Sequence, residues 1–222
     1  MATVLEPAQQ LQTNRQAQTE PRFVIRDVDW HVYDGIVRAL GDHHTRITFD
    51  GRNIELMSPL PIHEYINRMI ERLLTVLASE LRFPIRHGGS TTFRRLDLER
   101  GLEPDSCYWI QNESAIRGKL ELDFTFDPPP DLAIEVEISR SALDRMAIYA
   151  KLGVPEVWRI DGESLSIHLL DPDGAYKVSP TSRCLPELPV QEMLPYLRPD
   201  DELDDTTRVR QFVELVSPRF RR

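Results

Sequence analysis

The sequence predicts an α/β fold in which a mixed β-sheet is flanked by helices, and three features carry that expectation. The stretch IHEYINRMIERLLTVLASELR repeats apolar residues at helical spacing. DLAIEVEIS holds an apolar run with the length of a buried strand. Pairs of strand-like segments separated by turn residues stand on both sides of these two. Strands and helices do not alternate one for one, so a strict βαβ repeat is excluded.

Residues 1–22, MATVLEPAQQLQTNRQAQTEPR, are rich in Gln, Thr and Ala, lack the basic-then-apolar order of a signal peptide, and read as a mobile polar leader. Asp29 is placed to cap a short helix in which Trp30, Tyr33, Ile36, Val37 and Leu40 recur at helical spacing, weakened by Gly35. RITFD and IELMS flank Asp50-Gly51-Arg52-Asn53, the pattern of a β-hairpin. Ser58-Pro59-Leu60-Pro61 ends the second strand and opens the long helix, which Pro84 and Gly88-Gly89 close off. STTFRRLDL alternates weakly as a strand, and EPDSCYWI suggests another. Three prolines then precede the apolar run Leu132, Ala133, Ile134 and Val136. SALDRMAIYAKLG reads as a helix with Ser141 as its cap and Gly153 as its stop. EVWRID and LSIHLLD make a hairpin around Gly162, YKVS adds a strand, and LPVQEMLPYL a short helix. From Pro199 the chain turns acidic before a last helix that ends in Arg219, Arg221 and Arg222. The expected organisation is a leader at 1–22, a folded domain at 23–198, and an acidic segment with a C-terminal helix at 199–222.

With 222 residues, 41% of them hydrophobic and 28% charged, the chain suits one globular domain with tails. Its 27 Lys and Arg against 36 Asp and Glu give a net charge of −9, which argues against coating nucleic acid by bulk charge. A phosphate-bearing substrate would have to meet a local basic patch or a metal. No apolar run approaches the roughly 18 residues of a membrane span. Cys107 and Cys184 form neither a disulfide framework nor a close ligand pair, so a reduced, cytoplasmic setting is expected.

Dinucleotide-binding, P-loop and hydrolase-elbow signatures are absent. His63-Glu64-Tyr65-Ile66-Asn67 misses a zinc-protease helix because Asn67 stands where the second imidazole belongs. Asp42-His43-His44 reads as a solvated turn, since adjacent side chains in a loop diverge, and Cys107 as a buried filler.

The acids are more informative. Glu103-Pro104-Asp105 enters one strand, and Glu135 and Glu137 lie two apart within the apolar run, so they project to one face. If the two strands are neighbours, Asp105 can converge on them. Three crowded carboxylates repel one another unless a cation neutralises them, and hard oxygen ligands suit Mg²⁺ or Mn²⁺. On spacing alone the same acids could instead face solvent or pair with Arg140, Arg145 or Lys151, and both readings stay open.

Pro104-Asp105 followed by Glu135-x-Glu137 resembles the P-D-(D/E)-X-K nuclease superfamily. More narrowly, IELMSPLPIHE, GSTTFRR, GLEPDSCYWIQNE, PPPDLAIEVEIS and SALDRMAIYAKLGVPEVWRIDG, in that order, resemble the Uma-type restriction-endonuclease family over residues 23–198. The resemblance implies a restriction-endonuclease-like fold and a Mg²⁺- or Mn²⁺-dependent endonuclease acting on DNA. It makes Asp105 and Glu135 the metal-binding carboxylates, with the Val136 carbonyl a further ligand. The Lys of the superfamily pattern is replaced here by Glu137, so either Glu137 becomes a third metal ligand or the basic role has moved to another residue. The resemblance offers Arg145 as the substitute, with Lys151 as runner-up, and Glu64 as a further acid of the cluster. Ser90, Thr91, Thr92, Arg94 and Arg95 could meet phosphates or form a plain exposed strand. Val157, Trp158 and Ile160, with the proline-rich rims, are the expected surface of a homodimer whose two sites would address both strands of a duplex. The alternatives are a non-catalytic scaffold binding DNA or a protein, or a phosphodiesterase acting on RNA or a nucleotide.

Overall fold

Strands form along the chain much as the alternation predicts, but they sort into two sheets. The computed structural model describes residues 19–41, 44–161 and 163–220. Its elements in order are β1 (Arg22–Ile25), α1 (Trp30–Leu40), β2 (Arg46–Phe49), β3 (Ile54–Met57), α2 (Pro61–Leu81), β4 (Arg86–His87), β5 (Phe93–Arg95), β6 (Arg100–Leu102), β7 (Ser106–Trp109), α3 (Glu113–Ile116), β8 (Leu132–Val136), α4 (Arg145–Leu152), β9 (Glu156–Ile160), β10 (Leu165–Leu170), β11 (Tyr176–Ser179) and α5 (Asp205–Phe220). Single 3₁₀ segments occupy Leu96–Leu98 and Val190–Tyr196. Asp42-His43, Gly162 and Arg221-Arg222 lie outside the described residues, as does the leader up to residue 18.

The six-stranded sheet, ordered β11-β10-β9-β8-β7-β4, is the mixed one: only β8 and β9 run parallel, and α4 makes the crossover between them. A second, antiparallel sheet is ordered β1-β3-β2-β6-β5. Its strands are three or four residues long, too short for alternation to say which sheet they join.

The apolar stripe of α2, including Ile66, Ile70, Leu73 and Leu77, packs with Phe212 and Val216 of α5 onto Tyr108, Ile134 and Trp158. On the other face, Ile148, Tyr149 and Leu152 of α4 cover Cys107, Trp109, Ala133 and Val157. β8 is therefore buried on both faces, which is why its sequence runs apolar without alternating. Each fully buried Leu, Ile or Phe contributes about 1.5–3 kcal/mol, so these two layers outweigh any single polar contact at the site they frame. No described helix is long and apolar enough to cross a membrane.

Three expectations need correction. Val157, Trp158 and Ile160 are 0%, 0% and 1% exposed, because β9 is an interior strand with β8 and β10 on either side. They are core and cannot form the expected dimer surface. The helix after β8 starts later than the sequence suggests: Asp144, not Ser141, caps it by accepting from the Ala147 N–H at 3.1 Å. The Ser141 hydroxyl is taken by the buried Glu55, to which it donates at 2.8 Å. Finally, Glu20 is 5% exposed and Arg22 opens β1 against β3, so ordered structure begins inside the segment that composition assigns to the leader.

Candidate functional site

The register of β7 and β8 builds the site. Ser106 pairs with Ile134, so one further step along the antiparallel ladder sets Asp105 across from Glu135. The Asp105 N–H donates to the Ile134 carbonyl at 3.2 Å, and the Val136 N–H donates to Asp105 Oδ2 at 2.7 Å. Two carboxylates directly opposite on neighbouring strands destabilise a sheet, and burial adds to the cost. Asp105 is 2% exposed and Glu135 is 9% exposed.

Arg145 offsets that cost at Glu135. Its Nε donates to Glu135 Oε2 at 2.8 Å and its Nη2 to Oε1 at 2.5 Å, a bidentate pair. The same guanidinium donates to the Thr48 hydroxyl and, at 2.8 Å, to the Glu103 carbonyl. Tyr149, four residues on and therefore on the same helix face, donates its hydroxyl to Glu135 Oε1. A cation in the first turn opposes the helix dipole, so Glu135 and not helix stability determines the placement of Arg145. Burial pushes the Glu135 carboxyl up, the Asp105 charge adds to this, and Arg145 pulls the other way.

Asp105 is met by α2. His63 Nε2 lies 2.8 Å from Asp105 Oδ1, and Arg46 Nε lies 3.6 Å from the same oxygen. Arg46 Nε stands beyond hydrogen-bond reach and the His63 approach is out of line, so Asp105 Oδ1 faces two cations by charge and close contact without an aligned hydrogen bond. His63 Nδ1 is 2.6 Å from Glu20 Oε1. One turn further along α2, Asn67 donates to the Asp105 carbonyl at 2.9 Å and accepts from the Ser106 hydroxyl at 2.6 Å. The residue that breaks a zinc-helix pattern thus fastens the strand that carries Asp105. Burial would raise the Asp105 carboxyl, but His63, Arg145 and the Val136 N–H outweigh it and hold it below the usual range. Burial alone would lower His63, yet Asp105 and Glu20 on its two nitrogens push it up to about 10.

The other predicted residues sit around this pair. Glu137 faces the same cleft as Glu135, as two-residue spacing requires, but it is ion-paired with Arg159. Glu64, one-third exposed, accepts from Arg46 at 3.2 Å and approaches Asp105 only through that arginine. Lys151 is exposed in the last turn of α4. Thr91 and Thr92 donate to the Gly88 carbonyl and to Glu103, while Arg94 and Arg95 pair with Asp34 and Asp97, so these groups are already engaged within the protein. Cys107 is fully buried and burial pushes its thiol up, which suits a filler and not a nucleophile.

Among the described residues no group of three His, Cys, Asp or Glu is arranged to hold a metal. The structure brings together a pair of carboxylates, Asp105 and Glu135. An aspartate oxygen without an aligned partner, next to a second carboxylate whose charge burial disfavours, fits a hard divalent cation. Glu135 lines a cleft of about 530 Å³ whose charged lining includes Arg22, Arg140, Arg159 and Glu137, and Asp105 lies buried behind it. Glu20, Arg46 and Tyr149 complete the site but were not singled out from the sequence. Only Tyr149 carried a signal, its spacing of four from Arg145.

Residues 38–203 match the family model described as "Uma2: Putative restriction endonuclease". Among solved structures, the chain is similar to a protein from Anabaena variabilis titled a "putative nuclease belonging to DUF820". The two are 17% identical, the match covers 81% of this chain and 97% of the other, and the TM-score is 0.49. No curated protein matches the chain.

Proposed function

Since the chain belongs to the Uma2 restriction-endonuclease family, we propose that it is a divalent-metal-dependent endonuclease hydrolysing DNA phosphodiester bonds. The observation that supports this most is the opposition of Asp105 and Glu135 across β7 and β8 beneath the Arg145 guanidinium. Asp105 and Glu135 would hold Mg²⁺ or Mn²⁺, with the Val136 carbonyl as a further oxygen. A bound ion supplies polarisation of the scissile phosphate and a lowered pKa for the attacking water.

The chain's own residues do the rest. Arg145 reaches Glu135 from α4, while Glu137, at the sequence position of the superfamily Lys, is held by Arg159. Arg145 therefore takes over the cationic role. A guanidinium keeps its charge at any working pH, so Arg145 stabilises negative charge on the phosphate and does not take the proton from water. Glu137 and Glu64 act at the rim, and each can join a cation only by leaving its arginine. Arg140, exposed at the cleft, is suited to a backbone phosphate of the DNA. Two-fold pairing, which would address both strands, has to use a surface other than β9.

A second reading, a nuclease-like scaffold without catalysis, is favoured by the full engagement of Glu135 by Arg145 and Tyr149. The two are separated by incubating the protein with supercoiled plasmid, and in parallel with RNA, under Mg²⁺, Mn²⁺ or chelator, beside Asp105→Ala and Glu135→Ala. The expected result is plasmid cleavage that needs the divalent ion and is lost in both variants. Absence of divalent-dependent cleavage, or variants that cut as well as the parent, would refute the nuclease reading, and cleavage confined to RNA would replace the substrate.

A further inference from the structure

We infer that Glu20 is a positioning residue of this site, acting through His63 to fix the carboxylate of Asp105, so that the segment before β1 is a working part of the catalytic centre. The inference rests on the reading of Asp105 as a metal ligand. It concerns a residue outside positions 38–203, the span that the family model matches.

A glutamate in a Gln- and Thr-rich stretch would ordinarily face water, and burying its charge is costly unless it is paired. The Glu20 side chain is nonetheless fully buried, and so is that of His63. Glu20 Oε1 meets His63 Nδ1 at 2.6 Å, while Oε2 accepts from Arg22 Nη2 at 2.8 Å and from the Ser139 hydroxyl at 3.0 Å. An imidazole has two nitrogens, and here each faces a carboxylate: Glu20 on one side, Asp105 on the other. The ring stays aimed at Asp105 Oδ1 only while Glu20 holds its far edge. Asp105 Oδ2 is tied to the Val136 N–H, so the ring governs the remaining freedom of the carboxylate.

Arg22 carries the same strap toward Glu135. It donates to Glu55 at 2.7 Å and to the Ser139 carbonyl at 2.8 Å, and Glu55 accepts from the Ala142 N–H at 2.6 Å. The loop held in this way follows Glu135-Val136-Glu137 directly. Glu20 and the first residue of β1 thus contact, between them, His63 beside Asp105 and the loop that follows Glu135. Outer partners that orient ligating groups typically account for roughly 10–100-fold in metal affinity or activity. A tie that was merely structural would affect stability and leave the ion affinity of the folded protein untouched.

That difference is measurable on the full chain. Wild type, Glu20→Gln, Glu20→Ala and, as an exposed control on the far side of β1, Asp27→Asn are titrated with Mn²⁺, the free ion being read by electron paramagnetic resonance. Thermal unfolding, kcat and plasmid KM are recorded in parallel. The expected result is Mn²⁺ binding weakened roughly tenfold or more in Glu20→Ala and severalfold in Glu20→Gln, with unchanged KM and with kcat recovering at saturating Mn²⁺. Asp27→Asn should match wild type. If wild type binds Mn²⁺ and folded Glu20→Gln binds it equally well with unaltered kcat, the inference alone is overturned, whatever the melting temperatures. If wild type binds no Mn²⁺, the reading of Asp105 as a ligand falls, and the inference falls with it.

Discussion

The coupling between Arg145 and Glu135 yields a quantitative prediction. The two side chains are 12% and 11% exposed, so solvent screens their two charge-assisted hydrogen bonds only slightly. Removing one partner of a buried pair typically costs about 3–5 kcal/mol, because the other is left charged and unpaired. The two single substitutions should not cost the same. In Arg145→Met, Glu135 can take up a proton, since its carboxyl is already pushed up, and the loss should stay near about 3 kcal/mol. In Glu135→Leu the guanidinium cannot neutralise itself, and the loss should reach about 5 kcal/mol. The double variant Arg145→Met/Glu135→Leu replaces the pair with apolar groups of similar volume. Its residual deficit should be about 1–3 kcal/mol, mainly from the Tyr149 hydroxyl left without its acceptor. Urea melts in chelator, followed by tryptophan fluorescence, give the four free energies and hence the coupling term. A coupling of about 5 kcal/mol or more is expected from these figures. A value below about 0.5 kcal/mol, the level at which independent sites add, would show that Arg145 is not what neutralises Glu135. The double variant should also fail to cleave plasmid while remaining folded, which separates its catalytic defect from instability.

Two other outcomes follow from burial. Trp158→Ala should destabilise the chain by about 3–5 kcal/mol without altering its elution on gel filtration, and a change in association state with no loss of stability would contradict the core placement of β9. The second concerns acid stability. Burial pushes the Glu20 carboxyl up, but His63, Ser139 and Arg22 pull it further down, so its folded value lies below the ordinary 4.5. A depressed carboxylate contributes stability that is fully present above 4.5 and is lost as pH falls through the folded value. The melting temperatures of wild type and Glu20→Gln should therefore differ at neutral pH and converge on acidification below 4.5, and parallel curves would refute the pairing.

What the sequence revealed and what it hid divide along a physical line. The long helix α2 and the doubly buried strand β8 were legible because burial imposes period and composition over many residues. The hairpins were legible because turns demand particular residues, as Asp50-Gly51-Arg52-Asn53 does. Asp105 and Glu135 stood out because acids inside apolar segments violate a local rule, and such violations concentrate at functional sites. Arg145, the partner of Glu135, was among the cations the sequence offered, but the partners of Asp105 were not legible. Arg46, His63 and Glu20 come from a short strand, a helix start and a polar leader, and only tertiary packing makes them neighbours. Strand parity likewise showed that Glu135 and Glu137 share a face, but it could not show that separate arginines hold them. The same parity could not tell whether Val157 and Trp158 faced solvent or a second layer, since that depends on β8 and β10 lying on either side.

The net charge of −9 conflicts with an anionic substrate only if charge is spread evenly over the molecule. At the cleft four arginines, Arg22, Arg140, Arg145 and Arg159, stand against Glu135, Glu137 and Asp144. Three of the four are already matched: Arg22 by Glu20 and Glu55, Arg145 by Glu135, Arg159 by Glu137. Among the described residues Arg140 makes no ion pair, so the cleft as it stands offers a phosphate one unmatched guanidinium. Each acid that a cation takes over would free one more. Because each phosphate neutralised changes the logarithmic salt slope by about −0.9, a protein with one to three such contacts holds DNA weakly and loses its grip only moderately with salt. Specific cleavage would then depend on the geometry of Asp105, Glu135 and Arg145 at the phosphate and not on tight capture of the duplex. The acid excess elsewhere is concentrated in part at residues 200–205, none of which lines the cleft, and Asp205 there is matched by Arg72.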